Sequence, residues 1–171
     1  MKKFFLFLFI LSITVCCHAQ QPREKEYKFS AGVDIGHAIG YFSGNHKLGF
    51  GIFGQSEYIM SESSSFTATA AFYSFATKPV YDTVPSGIFP RAQPVFSGLS
   101  ISGGLKFSFS DKIYGHPQLG LVLRSGGLAA TYAFALGTQT SEHTDFCIRY
   151  EAISKAGVIG SFIMLRAGYI F

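Results

Sequence analysis

The sequence predicts an all-β protein, an eight-stranded antiparallel up-and-down transmembrane β-barrel. Apolar residues recur at every second position through most of the chain, which places them on one face of each strand. Only 14% of the residues are charged and 16% are aromatic, whereas water-soluble domains carry about a quarter charged residues. After residue 19, no run reaches the roughly 18 consecutive apolar residues of a transmembrane helix. Strands must therefore do the spanning.

The first 19 residues have the order of a secretory signal peptide. Two lysines precede an apolar run at 4–15, and Ala19 supplies the small residue before the cleavage point. The run is too short for a spanning helix, which needs about 20 residues. We therefore expect a signal peptide at 1–19, a polar periplasmic lead-in at 20–26 and the barrel at 27–171. The predicted location is the outer membrane of a Gram-negative cell.

The charge of the chain bears on which partners it could bind, and its cysteine content bears on what stabilises its fold. Without residues 1–19 the chain has twelve Lys/Arg and ten Asp/Glu, a balance of 12 − 10 = +2. No basic tract accompanies it, so we expect no nucleic-acid partner. Cys147 is left without an internal disulfide partner, and closure of a barrel would stabilise such a domain instead. A lipid anchor on Cys16 or Cys17 is disfavoured by the residues that precede them.

Eight alternating segments are separated by turn-forming residues. The predicted strands lie at about 27–39, 47–59, 66–75, 99–109, 118–124, 128–136, 146–151 and 159–171. Serine, glycine, asparagine and aspartate between them favour turns at 43–45, 61–64, 110–112, 125–127, 138–142 and 155–157. An even number of strands places both termini of the chain on the periplasmic side.

Two segments depart from simple alternation. Tyr73 and Phe75 lie on the parity opposite to that of Phe72, which predicts a bulge or a change of facing near residue 73. Residues 77–94 contain four of the six prolines and cannot form a central strand. They are predicted to be one long loop on the extracellular side.

The parity opposite to the apolar one is assigned to the barrel interior. Besides Lys28, the charged residues predicted there form a network of Asp34, Lys47, Glu57, Lys106, Arg124, Arg149, Glu151 and Arg166. Both signs are present and can pair, and an eight-stranded barrel is just wide enough for side chains to fill. We expect these charges to pack the lumen, and a narrow ion channel stays an alternative.

Several segments resemble a known family of proteins. They are 29–33, 48–51, 67–70, 149–155 and 161–169. These segments look like the small outer-membrane β-barrel proteins of Bacteroidetes-type bacteria, and the likeness spans nearly the whole exported chain. The final alternation, with Tyr169 and Phe171, resembles the signal that is read by the barrel-assembly machinery. The resemblance implies the barrel architecture. It also implies two partners, the barrel-assembly machinery and outer-membrane lipid. It brings no substrate.

No pattern predicts a metal or a cofactor. The four histidines after residue 19 show no paired spacing, and Cys147 is a single thiol. Gly49-Phe50-Gly51 lies within a predicted strand with no helix after it, so it is not a phosphate loop.

One enzymatic alternative remains. Some outer-membrane barrels are lipid A-modifying hydrolases with a late His-x-Ser motif, and Ala152-Ile153-Ser154 stands in a similar place. Alanine replaces the base, and no carboxylate follows Ser154, so its hydroxyl is a poor nucleophile. We therefore expect no enzyme.

The sequence thus favours a non-enzymatic barrel with a structural or surface-interaction role through its extracellular loops. Exposed loops on rigid scaffolds commonly bind partners. The candidate contact patch within the long loop comprises Tyr81, Ile88, Phe89 and Arg91. The extracellular ligand is not specified by any motif.

Overall fold

The computed structural model contains a closed eight-stranded barrel and a separate two-stranded hairpin. It describes residues 27–44, 46–78, 80–84, 87–91, 95–155 and 158–171, with the side chains of all but 41, 80–84, 87–91, 155, 158 and 159. The strands are β1 (Tyr27–Ile39), β2 (His46–Ser61), β3 (Ser64–Thr77), β4 (Val80–Val84), β5 (Gly87–Arg91), β6 (Phe96–Ser108), β7 (Ile113–Arg124), β8 (Gly127–Ser141), β9 (Thr144–Lys155) and β10 (Val158–Ile170). A short 3-10 helix (Gly40–Gly44) follows β1. None of the helical structure in these ranges is long and apolar enough to cross a membrane. The predicted signal peptide and lead-in lie outside the described residues.

The barrel confirms the predicted fold class. Its strands are antiparallel in the order β1-β10-β9-β8-β7-β6-β3-β2, and β1 pairs with β10 to close it. Closure leaves no unpaired strand edge. We call the end with the turns at 62–63, 109–112 and 142–143 the turn end, and the end with the connections after β1, β3, β7 and β9 the loop end.

The alternation in the sequence is also the alternation in the barrel wall. Every barrel strand presents large apolar side chains outward, such as Ile35, Phe50, Phe72, Ile101, Leu121, Leu136, Ile148 and Leu165. Residues of the other parity point into the lumen, where most are buried. A wall of this kind is suited to lipid on the outside, because apolar surface in water is unfavourable.

The predicted bulge near residue 73 is wrong. The pairing of β3 with β6 runs without a shift from Ser64↔Phe107 to Phe75↔Phe96. Tyr73 and Phe75 keep the parity of the lumen and are both 1% exposed. They are apolar because the lumen itself becomes apolar at this level.

A real irregularity lies instead in β2. The pairs His46↔Thr77 and Gly49↔Phe75 leave two residues of β2, Lys47 and Leu48, opposite one residue of β3. Such a bulge re-aims side chains. Lys47 is exposed, so its predicted place in the lumen is wrong.

Strand β7 begins five residues earlier than predicted and includes Pro117. Its pairing with β6 is interrupted between Gly104↔Gln118 and Phe107↔Gly115, which is where a proline without an N–H cannot donate to the ladder. Pro117 remains paired in register with Phe134 of β8. The proline is thus accommodated by a local gap on one side of the strand.

The predicted long loop carries a hairpin of its own. Strands β4 and β5 pair from Val80↔Arg91 to Val84↔Gly87 and, within the described residues, with no barrel strand. The segment is not a central strand, as its prolines indicate.

Strand β8 extends to Ser141, so the predicted turn at 138–142 is shorter and is centred on Glu142 and His143.

Candidate functional site

The centre of the lumen is occupied by a buried ion pair and its hydrogen-bond partners. Arg149 donates to Glu151 Oε2 from Nε at 3.0 Å and from Nη2 at 2.9 Å, and both side chains are 1% exposed. Arg149 Nη1 also donates to Gln118 Oε1, and Thr131 Oγ1 donates to Glu151 Oε1 at 2.9 Å. The partners satisfy both charges, which makes their burial tolerable.

A second buried ion pair lies at the seam of the barrel, where the first strand, β1, pairs with the last, β10. Asp34 of β1 and Arg166 of β10 are register partners, and Arg166 donates to the two carboxylate oxygens from Nε and Nη2, at 2.8 Å each. The guanidinium also lies over the ring of Phe53, 3.8 Å from its centroid. A bidentate pair fixes geometry as well as charge, so it favours this register of the last strand against the first.

The turn-end half of the lumen is polar and opens outward. Lys106 Nζ donates to Glu57 Oε2 at 3.0 Å and lies over the ring of Tyr114. The Tyr114 hydroxyl contacts both oxygens of Asp145, at 2.7 and 2.8 Å. Next to these side chains, an open basin of about 840 Å³ faces the turn end and is lined mainly by serine, lysine and acidic side chains.

The loop-end half of the lumen is closed by aromatic rings. This aromatic plug consists of Phe42, Tyr73, Phe75, Phe96 and Phe162. Ring centroids are 4.8 Å apart for Phe75 and Phe162 and 4.8 Å apart for Phe42 and Phe96, in tilted and edge-on contacts that suit aromatic pairs.

A glycine makes room for the plug. An added Cβ at Gly49 would lie 2.3 Å from the ring of Phe75, so the ring occupies the space of the missing side chain. The plug is not among the features predicted from the sequence. The sequence does contain a sign of the plug: near the loop end of several strands, large apolar residues occupy both the outward-facing and the lumen-facing positions.

Six of the eight residues predicted for the lumen charge network form three ion pairs. They are Asp34 with Arg166, Glu57 with Lys106, and Arg149 with Glu151. Lys47 and Arg124 do not join them. Arg124 lies at the end of β7 with its guanidinium carbon 5.7 Å from the Phe96 centroid, and its Nε has no hydrogen-bond partner among the described residues.

The predicted loop contact patch lies on the β4–β5 hairpin. Tyr81 pairs in register with Pro90, Ile88 with Thr83, Phe89 with Asp82 and Arg91 with Val80. The structure describes the backbone of these residues, and their side chains lie outside what it describes.

The structure also gives the surroundings of the remaining predicted positions. Ser154 has Ala130 and Ile159 as register partners, and neither is a base. His116, buried in the lumen, contacts Thr67 Oγ1 at 2.6 Å. In the described ranges, no group of three or more His, Cys, Asp or Glu side chains could hold a metal ion. Tyr169 is exposed on the outer wall, 5.2 Å from Phe171 between ring centroids.

No family model and no curated protein matches the sequence, whereas solved structures do. The attachment invasion locus protein Ail of Yersinia pestis, in complex with the heparin analogue sucrose octasulfate, is 18% identical with a TM-score of 0.57, over 87% of this chain and all of Ail. Neisserial surface protein A is 15% identical with a TM-score of 0.52, over 86% of this chain and 98% of its own. A designed transmembrane β-barrel is 10% identical with a TM-score of 0.53, over 88% and 100%. The chain therefore has the fold of the small eight-stranded outer-membrane β-barrels.

Proposed function

We propose that this protein is a non-enzymatic outer-membrane β-barrel that acts at the cell surface through its loop end. The observation that carries the proposal is the combination of an apolar outer wall with a lumen that is closed at its centre and in its loop-end half. The outer wall is suited to lipid, and the paired charges and the aromatic plug block the path from the turn-end basin to the loop end. The exposed connections are then the part of the molecule that is free to bind a partner.

The proposed location has a direct test. A hydrogen-bonded barrel resists detergent until it is heated, so the protein should fractionate with outer membranes and show heat-modifiable mobility in gels. Recovery from the periplasm as a soluble protein would contradict both the location and the function. The assembly machinery and outer-membrane lipid are proposed partners on the same grounds.

The charge of the loop end supports an anionic partner. Five basic residues and one acidic residue lie in or next to the loop-end connections, a balance of 5 − 1 = +4: Lys47, Lys78, Arg91, Arg124 and Lys155 against Asp82. The turns at the other end carry the opposite bias, with Glu62, Asp111 and Glu142 against Lys112. Ail, with the same fold, binds a heparin analogue. A sulfated or phosphorylated polysaccharide is therefore the proposed ligand class, with the hairpin and its predicted patch as part of the surface.

A binding measurement in nanodiscs tests this ligand class, because both ends of the barrel are accessible there. Heparin should bind with an affinity that falls as salt rises, and uncharged dextran should not bind. The double variant Arg91→Ala, Lys155→Ala should weaken heparin binding several-fold. Lys112→Ala, which removes a lysine from the turn end, is the matched control and should bind as the wild type does. Equal binding of dextran and heparin, or a double variant that binds normally, would contradict the proposal.

A further inference from the structure

A groove interrupts the outer wall near the loop end. It lies across β1, β2 and β3, has a volume of about 430 Å³, and is lined by Ile35, Leu48, Phe50, Ser74, Ala76 and Val95. All but the serine are apolar, and Leu48 is 61% exposed. Because the groove is continuous with the outward-facing apolar wall, the occupant that it suits is a membrane lipid rather than a water-soluble molecule.

The bulge in β2 accounts for the position of this groove. Lys47 and Leu48 together lie opposite the single position 76 of β3, where the small side chain of Ala76 leaves space. Gly49 follows, and a side chain there would collide with Phe75. On the outer face, the groove therefore lies over the small side chain of Ala76, between the larger side chains of Ile35, Leu48 and Phe50.

Two lysines lie next to residues of the groove in the chain, on its loop-end side. Lys47 is exposed and adjacent to Leu48 in the chain. Lys78, two residues beyond Ala76, donates from Nζ to the carbonyl oxygen of Ser43 at 2.5 Å, and an ammonium group has two further hydrogens to donate. His37, the register partner of Leu48 on β1, is also exposed.

The acidic side chains of the three strands that line the groove point away from it or are already paired. The acidic residues within β1, β2 and β3 are Asp34 and Glu57. Asp34 is buried in the lumen against Arg166, and Glu57 pairs with Lys106. The charge at the edge of the groove thus complements an anion.

We propose that this groove binds an anionic lipid of the leaflet at the loop end, with the negative charge carried by phosphate. One acyl chain would lie along Ile35, Leu48 and Phe50, and a headgroup phosphate would contact Lys47 and Lys78. Charge-assisted hydrogen bonds from lysine to phosphate favour this headgroup over a zwitterionic one. The inference rests on the proposed membrane location, and it gives the proposed lipid partner a specific site and headgroup chemistry.

Native mass spectrometry of the barrel with lipid A, a phosphorylated lipid with several acyl chains, tests the proposal. The wild-type protein in phosphatidylcholine nanodiscs with a minor fraction of lipid A should retain lipid A about tenfold better than dephosphorylated lipid A, since loss of a charged hydrogen bond has an effect of that size. Lys47→Ala should abolish most of this preference. Lys112→Ala, at the turn end, should retain it. Ala76→Phe, which fills the groove, should weaken binding of both lipids.

The outcomes separate this inference from the proposed function. Equal retention of the two lipids, or an unchanged preference in both Lys47→Ala and the more conservative Lys47→Gln, would overturn it. Displacement of lipid A by millimolar inorganic phosphate would show a simple anion site and would also overturn it. Heat-modifiable mobility is measured for each variant. A wild-type chain that does not fold into bilayers overturns the proposed function as well, whereas a folded barrel that binds heparin without preferring lipid A contradicts this inference alone.

Discussion

At the scale of single residues, neighbours in one strand have different surroundings, the outer wall for one and the lumen for the next. Ile101 is 63% exposed on the outer wall, and Ser102 is 5% exposed in the lumen. The Ser102 hydroxyl has no hydrogen-bond partner among the described residues. A substitution at one of these positions therefore meets lipid, and at the other it meets the packed interior.

We predict opposite outcomes for two adjacent substitutions. Ile101→Arg should reduce folding into bilayers sharply, because arginine near the membrane midplane costs about 2–4 kcal/mol. Ser102→Ala should fold almost as the wild type does, since it removes an unpartnered hydroxyl. Depth-dependent quenching of single-cysteine labels at residues 99 to 105 measures the facing. Labels at odd positions should be quenched from the lipid, and the reverse parity would contradict the assignment.

A second residue-scale prediction concerns the pair that closes the seam. Asp34→Asn leaves the buried Arg166 guanidinium without a counter-charge, and breaking such a pair costs about 3–5 kcal/mol. The midpoint of urea unfolding in vesicles should therefore shift strongly. The double variant Asp34→Asn, Arg166→Gln should recover part of the loss, because no unpaired charge remains. A single variant as stable as the wild type would show that this pair does not secure the closure.

At the scale of elements, the β4–β5 hairpin is separable from the barrel. It pairs with no barrel strand in the described ranges, and β3 pairs directly with β6 across it. We predict that replacing residues 79–94 with a short Gly-Ser linker leaves heat-modifiable mobility intact, because loop length has little effect on stability. The same variant should lose heparin binding in part, since Arg91 is removed. A variant that no longer folds would show that the hairpin supports the wall.

The elements also show how far the sequence alone can be interpreted. Alternation is a property of each strand, so the eight barrel strands and their facing, such as Ile101 outward, could be predicted. Lys47 could not be placed correctly because a bulge changes the facing without changing the composition of the strand. The start of β7 could not be predicted because Pro117 lies within it, and a residue without an N–H argues against a strand. The proline is tolerated by a gap in the pairing of β7 with β6, and only the structure shows that gap.

At the scale of the whole molecule, the barrel has two layers that close its lumen. The polar layer contains the pairs of Arg149 with Glu151 and Asp34 with Arg166. The aromatic plug lies beyond it toward the loop end, and Tyr73 joins the two layers, with its hydroxyl 3.5 Å from Glu151. Alternation could predict a charged interior but not its partners, since the pair at the seam joins residues as far apart in the sequence as 34 and 166.

The final prediction follows from these two layers together. In planar bilayers the purified protein should show little or no steady conductance, because an ion would have to displace both the plug and the paired charges. Phe75→Ala with Phe162→Ala should remain nearly closed, since the contacts of Arg149 with Gln118 and of Gln118 with Thr69 still span the lumen from β9 to β3. Single-channel recording measures both proteins under the same salt gradient. Large, reproducible steps in the wild type that disappear with Arg124→Ala or Arg149→Ala would instead establish a conducting pore lined by those arginines. The plug and the paired charges would then no longer argue for a role confined to the surface.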